Sequence, residues 1–331
     1  MRLIQFLNER GERRVGGVES HDSVRVLAGV FTTYHLAQLA LAGGESLEQA
    51  AMRALGGEVV DYEALLAERR LLLPVDHPDE ARCMISGTGL SHLGSAQARD
   101  AMHVKLSQDE SALTDSMRMF KLGVEGGKPA DGGPGVAPEW FYKGDGRCAV
   151  SPGHALVSPG FARDGGDEAE IAGIYMIDDA GQVRRLGYAL GNEFSDHVTE
   201  KQNYLYLAHS KLRPCSYGPE LLLGELPKHV RGTARVLRDG VAVWASDWLS
   251  GDDNMCHSVA NLEHHHFKYA HFRRPGDLHV HYLGAAALSV AGGLQTLAGD
   301  VFEIGSALFG RPLRNRYEIA AAEPAPVIRG L

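Results

Sequence analysis

Short apolar runs separated by turn signals dominate the chain from Trp140 onward, and they constrain its fold more than any other feature. The runs IAGIYMI and VRRLGYAL flank Asp178–Gly181, and ARVL and VAVWA flank Arg238–Gly240. Two apolar runs joined by a short turn that contains glycine are typical of a β-hairpin. The later runs LHVHYLG, VFEIG and LRNRYEI also resemble strands. This part of the chain is therefore predicted to be mostly β.

The beginning of the chain has a different pattern. An opening strand is predicted over Arg2–Leu7, and helices follow, one of them starting at Ser46 with a capping-box partner at Gln49. A chain of 331 residues exceeds the usual size of one domain. We therefore predict an α+β protein with a small N-terminal α+β domain over residues 1–75 and a mostly-β domain over residues 76–331.

Charge and hydropathy restrict the class of ligand. The net charge of -9 gives no general attraction for nucleic acid or an acidic membrane. The chain starts with MRLIQFLNERGERR, where charges directly follow a short apolar stretch, and it contains no run of the roughly 18 apolar residues that a membrane span requires. We expect a cytoplasmic protein that binds a small molecule or a metal cation, with neither nucleic acid nor a membrane as partner.

The cysteine pattern agrees with that compartment. Four cysteines lie far apart in the chain and form no CxxC pair, so neither a zinc site nor a redox motif is indicated. In a cytoplasmic protein such cysteines are expected to be reduced thiols of the core. They are Cys83, Cys148, Cys215 and Cys256.

Two glutamates stand at the head of an apolar strand. Glu168 and Glu170 flank one alanine, and strand side chains repeat with a period of two, so both carboxylates should point to the same face. Glu193 follows the return strand of the same predicted hairpin and should come back beside them. Three carboxylates without a nearby His or Cys suit a hard ion, Mg²⁺ or else Mn²⁺ or Ca²⁺. A solvated acidic edge is the alternative interpretation.

An ordered series of motifs then resembles the fumarylacetoacetate hydrolase family. The series runs from about Pro74 to Glu318 and consists of EAEIAGIYMI, GYALGNEFS, Lys211, GDDNM, RPGD and AGDV. Within that family, the segments GTGLSHLGSA, HALVSPGFARDGGDEAE and NLEHHHFKY are most similar to a sugar-acid branch that includes 2-keto-3-deoxypentonate dehydratases. The resemblance implies a β-roll core, a homodimer, and a metal held by the three glutamates. The family usually carries Asp where this chain has Glu193.

The resemblance also implies catalytic residues. Lys143 in WFYKGDG and Lys211 in AHSKLRP match lysines of the family pattern, where a lysine can hold the substrate carboxylate or serve as a base. His92 lies in a segment that matches a catalytic loop of the family. An exposed surface lysine is the alternative for both lysine positions.

Five further residues are implied as substrate-binding. Ser91 and Ser95 lie in the same loop as His92, and Ser95 stands near the position where hydrolases of the family place a histidine. His197 replaces the arginine of a substrate-contacting motif. Gly284 and Ala285 fall where the family generally has Gly-Thr, so a hydroxyl group is absent there.

These matches imply an enzyme, a Mg²⁺-dependent hydro-lyase. It would dehydrate a 2-keto-3-deoxy pentonate to 2,5-dioxopentanoate, also called α-ketoglutarate semialdehyde, in non-phosphorylative pentose catabolism. Two alternatives remain open at this point. One is hydrolysis of a C–C bond in a 2,4-diketo-3-deoxy acid with release of pyruvate, and the other is an inactive protein that binds sugar acids.

Overall fold

The computed structural model describes residues 1–94 and 113–331, and in these ranges the strands form two sheets. The larger sheet has the order β4-β3-β2-β1-β12-β10-β9-β15-β5-β6, with β11 paired to β10 and to β7. Its strands are β1 (Arg2–Leu7), β2 (Arg13–Val18), β3 (Ser23–Leu27), β4 (Leu55–Asp61), β5 (Cys83–Gly89), β6 (Glu139–Asp145), β7 (Ala149–Val150), β9 (Ala169–Ile177), β10 (Val183–Asn192), β11 (Cys215–Tyr217), β12 (Leu221–Leu222) and β15 (Leu278–Tyr282).

The smaller sheet has five strands in the order β14-β13-β16-β17-β8. They are β8 (Ala155–Ser158), β13 (Val230–Arg238), β14 (Val241–Ser250), β16 (Val301–Gly305) and β17 (Leu313–Ile319). The α-helices within the described ranges are α1 (Thr33–Gly43), α2 (Leu47–Ala54), α3 (Tyr62–Ala67), α4 (Asp115–Gly126), α5 (His197–Gln202), α6 (Leu207–Ser210) and α7 (Val259–Phe267). The predicted α+β fold with a mostly-β core is confirmed.

The hairpin of β9 and β10 forms the centre of the larger sheet. Every residue of β9 is buried, which explains why this strand is apolar without alternation. The turn between the two strands is held by Asp178, whose Oδ1 accepts hydrogen bonds from the amides of Ala180 and Gln182. Gly181 has a φ of 74°, a conformation that glycine adopts at little cost. This turn fixes the register that brings the two ends of the hairpin together.

The N-terminal segment contains four antiparallel strands and three helices. The predicted capping box at the start of α2 is present, since the Ser46 hydroxyl accepts from the Gln49 amide and the Gln49 side chain accepts from the Ser46 amide. Strand β1 pairs with β12, with Arg2 opposite Leu222, and this pairing joins the segment to the larger sheet. The boundary near residue 75 stays a prediction. None of the helices in the described ranges is both long enough and apolar enough for a membrane span.

Candidate active site

The open end of the β9–β10 hairpin carries three buried carboxylates. Glu168 directly precedes β9, Glu170 is the second residue of that strand, and Glu193 directly follows β10. The register pairs Glu170 with Gly191, and the amide of Glu193 donates to the carbonyl of Glu168 at 3.1 Å. One ligand oxygen from each carboxylate lies within 4.8 Å of the others. The structure thus brings together the three predicted metal ligands, whose role as ligands stays a prediction.

Lys211 neutralises two of the carboxylates. Its Nζ lies 2.5 Å from Oε1 of Glu168 and 2.7 Å from Oε2 of Glu193, and it also contacts Oγ of Ser195 at 3.1 Å. Burial alone would lower the pKa of Lys211, but the negative charges of Glu168 and Glu193 raise that pKa well above its ordinary value. Lys211 is therefore an ammonium ion in this arrangement.

Lys143 lies next to Glu193 and is fully buried. Its Nζ is 2.5 Å from Oε1 of Glu193, and it donates to the carbonyls of Phe194 at 2.7 Å and Lys211 at 3.0 Å. Lys143 thus makes one ion pair and two hydrogen bonds to backbone carbonyls. The geometry favours a role in positioning Glu193. The catalytic role suggested for Lys143 by the family resemblance stays a prediction. We call Glu168, Glu170, Glu193, Lys143 and Lys211 together the carboxylate–lysine cluster.

Glu170 is the carboxylate that has no lysine. Its Oε2 accepts a hydrogen bond from the Gly284 amide at 2.8 Å, whereas its Oε1 is buried and has no hydrogen-bond partner among the described residues. Burial, and after it the negative charges of Glu193 and Glu168, raises the pKa of Glu170 well above the usual value for a glutamate. A cation beside this oxygen would favour the ionised form, since opposite charge opposes both effects.

The loop after β15 lies against Glu170. Gly284 has a φ of 106°, and a Cβ atom at this position would lie 1.9 Å from Oγ of Ser91. Glycine is therefore required where the chain turns to present its amide to Glu170. The Ser91 hydroxyl donates to the carbonyl of Leu283 at 2.6 Å, and Ala285 follows in the same loop, half-buried. Ser91, Gly284 and Ala285 are thus gathered near Glu170, and their contact with substrate stays a prediction.

His197 is the first residue of α5 and touches the carboxylate–lysine cluster from one side. Its Nε2 donates to Oε1 of Glu168 at 3.0 Å, and its Nδ1 is 3.7 Å from Oδ2 of Asp164. Burial alone would lower the pKa of His197, but the neighbouring carboxylates of Asp164 and Glu168 raise it to about 9. His197 therefore adds a positive charge beside Glu168 at neutral pH. The predicted contact with the far end of a substrate stays a prediction.

His92 is held between two serine hydroxyl groups. Its Nδ1 is 3.0 Å from Oγ of Ser91, and its Nε2 is 2.8 Å from Oγ of Ser250. Burial lowers the pKa of His92 to about 3, so the ring is neutral. Both ring nitrogens are occupied by these hydroxyls, and the catalytic role of His92 stays a prediction. Ser95, the other residue of this loop that the resemblance singled out, lies outside the described residues.

Glu139 at the start of β6 was not expected from the sequence analysis. Glu139, Phe141 and Lys143 are all buried and alternate with more exposed residues along the strand, so they share one face. The Phe141 ring lies 4.8 Å from Nζ of Lys211. Alternation with a period of two, which predicts that Glu168 and Glu170 share a face, also places Glu139 on the same face as Lys143. This alternation is the sequence signal that could have identified Glu139.

The Glu139 carboxyl group is buried between Tyr204 and Gly89. Its Oε2 accepts a hydrogen bond from the Tyr204 hydroxyl at 2.9 Å. Its Oε1 occupies the space that a side chain at Gly89 would fill, since a Cβ there would lie 1.7 Å away. Burial raises the pKa of Glu139 to about 7, against the opposing effects of the Tyr204 hydrogen bond and the Lys211 charge. A pKa near the working pH is the property of an effective general acid or base.

Comparisons with known proteins identify the fold. Neither a model of a protein family nor a curated protein sequence matches the chain. Among solved structures, a 2-keto-3-deoxy-D-arabinonate dehydratase in its apo form matches with a TM-score of 0.70 and 18% identity, over 97% of this chain and 99% of that chain. The same enzyme complexed with magnesium and 2,5-dioxopentanoate matches with a TM-score of 0.69 and 18% identity, over 97% and 100%.

A second class of enzyme has the same fold. A 5-carboxymethyl-2-hydroxymuconate delta-isomerase from Mycobacterium smegmatis matches with a TM-score of 0.58 and 16% identity, over 97% of this chain and 100% of that chain. At identities of 16% to 18% these likenesses establish the fold alone. The fold expected from the motif resemblance is confirmed. Because a dehydratase and an isomerase share it, the reaction has to be argued from the site.

Proposed function

We propose that this protein is a Mg²⁺-dependent hydro-lyase that dehydrates a 2-keto-3-deoxy pentonate to 2,5-dioxopentanoate. The observation that carries the proposal is the buried triad of Glu168, Glu170 and Glu193, set in the fold of a dehydratase that has been seen with magnesium and 2,5-dioxopentanoate. Because all three carboxylates are buried, they do not form the solvated acidic edge that was the alternative interpretation. The proposal includes a cytoplasmic homodimer that acts in non-phosphorylative pentose catabolism.

The residues of the site fit a hard divalent cation. All donor atoms of the triad are carboxylate oxygens, the ligand type that Mg²⁺ prefers, with Mn²⁺ or Ca²⁺ as alternatives. Oε1 of Glu170 is buried with no partner among the described residues, and such an orphaned acceptor is costly unless a cation or a proton satisfies it. When bound, a divalent cation supplies positive charge that stabilises negative charge developing on a 2-keto acid.

The protein supplies the proton transfers. Dehydration removes a proton from C3 and the hydroxyl group from C4, which leaves a C3=C4 double bond. Loss of a proton from C5 and its return at C3 shift this double bond to C4=C5, and the resulting enol tautomerises to the C5 aldehyde. Glu139 is the residue best suited to accept and return a proton, because its pKa of about 7 lets both protonation states exist at neutral pH. The Tyr204 hydroxyl donates a hydrogen bond to Oε2 of Glu139, so Oε1 is the oxygen that would accept and return the substrate proton. Lys211, whose pKa is raised, serves as a fixed positive charge.

Two other activities remain as outcomes of the test. C–C hydrolysis requires an activated water, which the family commonly generates with a histidine near the position of Ser95, and this chain has serine there. An inactive binder would retain affinity for sugar acids without turnover. The neutral His92, already bonded to Ser91 and Ser250, does not supply the missing base in the observed geometry.

The experiment presents the Mg²⁺-loaded protein with competing substrates. D- and L-2-keto-3-deoxypentonate and, separately, a 2,4-diketo-3-deoxy acid are incubated with wild type, and products are followed by mass spectrometry. Loss of one water from a monoketo acid is expected. Glu139→Gln should reduce that rate by about 100-fold or more, the usual scale for a general acid or base. Glu318→Gln, which changes an exposed carboxylate on β17, is the matched control and should keep full activity.

Each contrary result has a distinct meaning. Release of pyruvate from the diketo acid, with the monoketo acids untouched, would replace the proposal with C–C hydrolysis. Binding of the sugar acids without any product would replace it with the inactive binder. Full activity of Glu139→Gln alongside normal dehydration would remove Glu139 from the mechanism.

A further inference from the structure

Two cysteines that are distant in sequence meet directly behind the active-site lysines. Sγ of Cys148 lies 4.0 Å from Sγ of Cys215, and all four cysteines of the chain are free thiols. Strands β7 and β11 run parallel, and Ala149 pairs with Cys215. Cys148 directly precedes Ala149 in the chain. A third thiol, that of Cys83 at the start of β5, is buried close enough to raise the pKa of Cys148 and to have its own pKa raised by Cys215. This grouping could not be predicted from the sequence, because no CxxC pair exists.

The two thiols are placed for a covalent bridge. Cys148 is the last residue of the 3-10 turn Gly146–Cys148 that directly precedes β7, and Cys215 is the first residue of β11. The sulfur atoms at 4.0 Å have to approach to about 2.05 Å, which requires side-chain rotation together with a small shift of the segments that carry them.

The two thiols differ in reactivity. Cys148 is half-buried, whereas Cys215 is fully buried. A hydrogen bond from the Cys215 thiol lowers the pKa of Cys148; burial opposes this shift and the nearby Lys143 charge supports it. Burial raises the pKa of Cys215 well above the usual value for a thiol. Cys148 is therefore the accessible nucleophile and Cys215 the resolving thiol.

We propose that Cys148 and Cys215 are a modification site that forms a disulfide by exchange with a low-molecular-weight disulfide. The Cys148 thiolate attacks one sulfur of the small disulfide, and the other sulfur leaves as a thiolate. Cys215 then attacks the Cys148 sulfur of the mixed disulfide, its proton passes to a released thiolate, and the second small thiol leaves. Two protein thiols are oxidised and one small disulfide is reduced to two thiols, so atoms and electrons balance.

The bridge would act on the carboxylate–lysine cluster through the backbone. Lys143 lies five residues before Cys148, and Lys211 lies four residues before Cys215. Gly144 packs directly against the first of these thiols, since a Cβ on it would lie 2.8 Å from Sγ of Cys148. A bond between the two sulfurs would shift the segments that carry Lys143 and Lys211, and both of these lysines contact Glu193. The bridge itself is independent of the proposed function, whereas its effect on Mg²⁺ affinity rests on the metal site of that proposal.

The test uses the full-length protein and 2-hydroxyethyl disulfide, a small probe that fits a half-buried thiol. After removal of excess reagent, free thiols are counted in denaturant and the bridge is located by peptide mass spectrometry. Wild type is expected to lose two of its four thiols through a Cys148–Cys215 link. Cys148→Ser should end without any internal disulfide. Cys256→Ser, which removes the thiol outside the grouping, should still form the bridge.

A second readout concerns the site. Oxidised wild type should bind Mg²⁺ about tenfold more weakly than reduced protein in calorimetry, the scale expected when groups behind metal ligands are disturbed. Reduction with dithiothreitol should restore the affinity, and oxidant should leave Mg²⁺ binding by Cys148→Ser unchanged. Retention of all four thiols, or a bridge through Cys83, would overturn the modification site. A Cys148–Cys215 bridge with unchanged Mg²⁺ affinity would overturn the proposed effect of the bridge on the metal site. Failure of the protein to dehydrate sugar acids would change neither the thiol count nor the Mg²⁺ titration.

Discussion

The larger sheet carries two buried clusters of titratable side chains, and they accommodate burial in opposite ways. The carboxylate–lysine cluster keeps buried charge on Glu168 and Lys211, and Lys143 and Lys211 lie 2.5 to 2.7 Å from oxygens of Glu168 and Glu193. The second cluster, which we call the histidine cluster, consists of His266 on α7 and His279 and His281 on β15. It contains no carboxylate and stays neutral.

Within the histidine cluster the rings contact one another, but Nε2 of His279 and Nε2 of His281 are buried without a hydrogen-bond partner among the described residues. Nε2 of His266 is 3.0 Å from Nδ1 of His279, and Nδ1 of His281 is 2.9 Å from Oγ of Ser86. Burial lowers the pKa of His279 to about 4 and that of His281 to about 3. The contrast teaches that a shifted pKa alone does not identify a functional site. What distinguishes the carboxylate–lysine cluster is that it retains buried charge and that ligand oxygens of its three carboxylates converge within 4.8 Å of one another.

The largest expected difference between the clusters is in the free energy of unfolding. Lys143→Met leaves the buried Glu193 charge without its closest partner, and breaking a buried ion pair costs about 3 to 5 kcal/mol. His279→Phe removes one hydrogen bond of a neutral cluster and should cost about 1 kcal/mol. Urea unfolding of both variants measures the two costs. Equal losses would contradict the contrast.

The next effect concerns how stability depends on pH. Because His279 has a folded pKa of about 4 and an ordinary unfolded value near 6.5, the unfolded state binds more protons between these limits. Stability should therefore fall as pH drops from about 6.5 to 4, by up to about 1.4 kcal/mol per pH unit for one histidine. His279→Phe should make this slope shallower in urea unfolding at successive pH values. His264→Gln, at an exposed position of α7, is the control, and an equal change there would refute the assignment.

A smaller effect is expected for Mg²⁺ binding when Lys211 is changed. Its ammonium occupies oxygens of Glu168 and Glu193, so it competes with a cation and repels it. Lys211→Met should bind Mg²⁺ about tenfold more tightly, because roughly 1.4 kcal/mol of this competition is removed. Calorimetry at constant ionic strength measures the change. Weaker binding by the variant would show that Lys211 supports the ion instead of opposing it.

Local patterns predicted much of the fold and part of the site. The hairpin signals around Asp178–Gly181 placed β9 and β10, and the period of two along β9 placed Glu168 and Glu170 on one face. The position of Glu193 could be predicted as well, because the second strand of a tight hairpin ends beside the start of the first strand. These predictions succeed because each depends on contacts within a single hairpin.

Other features depend on contacts that single segments do not encode. Lys143 on β6 contacts Glu193, which follows β10, although β9, β15 and β5 lie between these two strands in the sheet. The sheet therefore has to curl, because four strand spacings of about 4.8 Å exceed the length of a lysine side chain. The meeting of Cys148 with Cys215 depends on the parallel pairing of β7 and β11. Glu139 was overlooked even though it shares a face with Lys143, because nothing in the segment EWFYK shows which side faces the site.

The central claim is that the buried triad binds a divalent cation, and calorimetric titration with Mg²⁺ tests it most directly. Glu170→Gln keeps the size of the side chain and removes the charge of the carboxylate that has no lysine partner. We expect wild type to bind one Mg²⁺ per chain and the variant to bind it at least about 100-fold more weakly, since loss of a ligand should exceed the effect of disturbing its surroundings. Glu318→Gln, on the exposed side of β17, should match wild type. Equal Mg²⁺ affinity in wild type and Glu170→Gln would contradict the account.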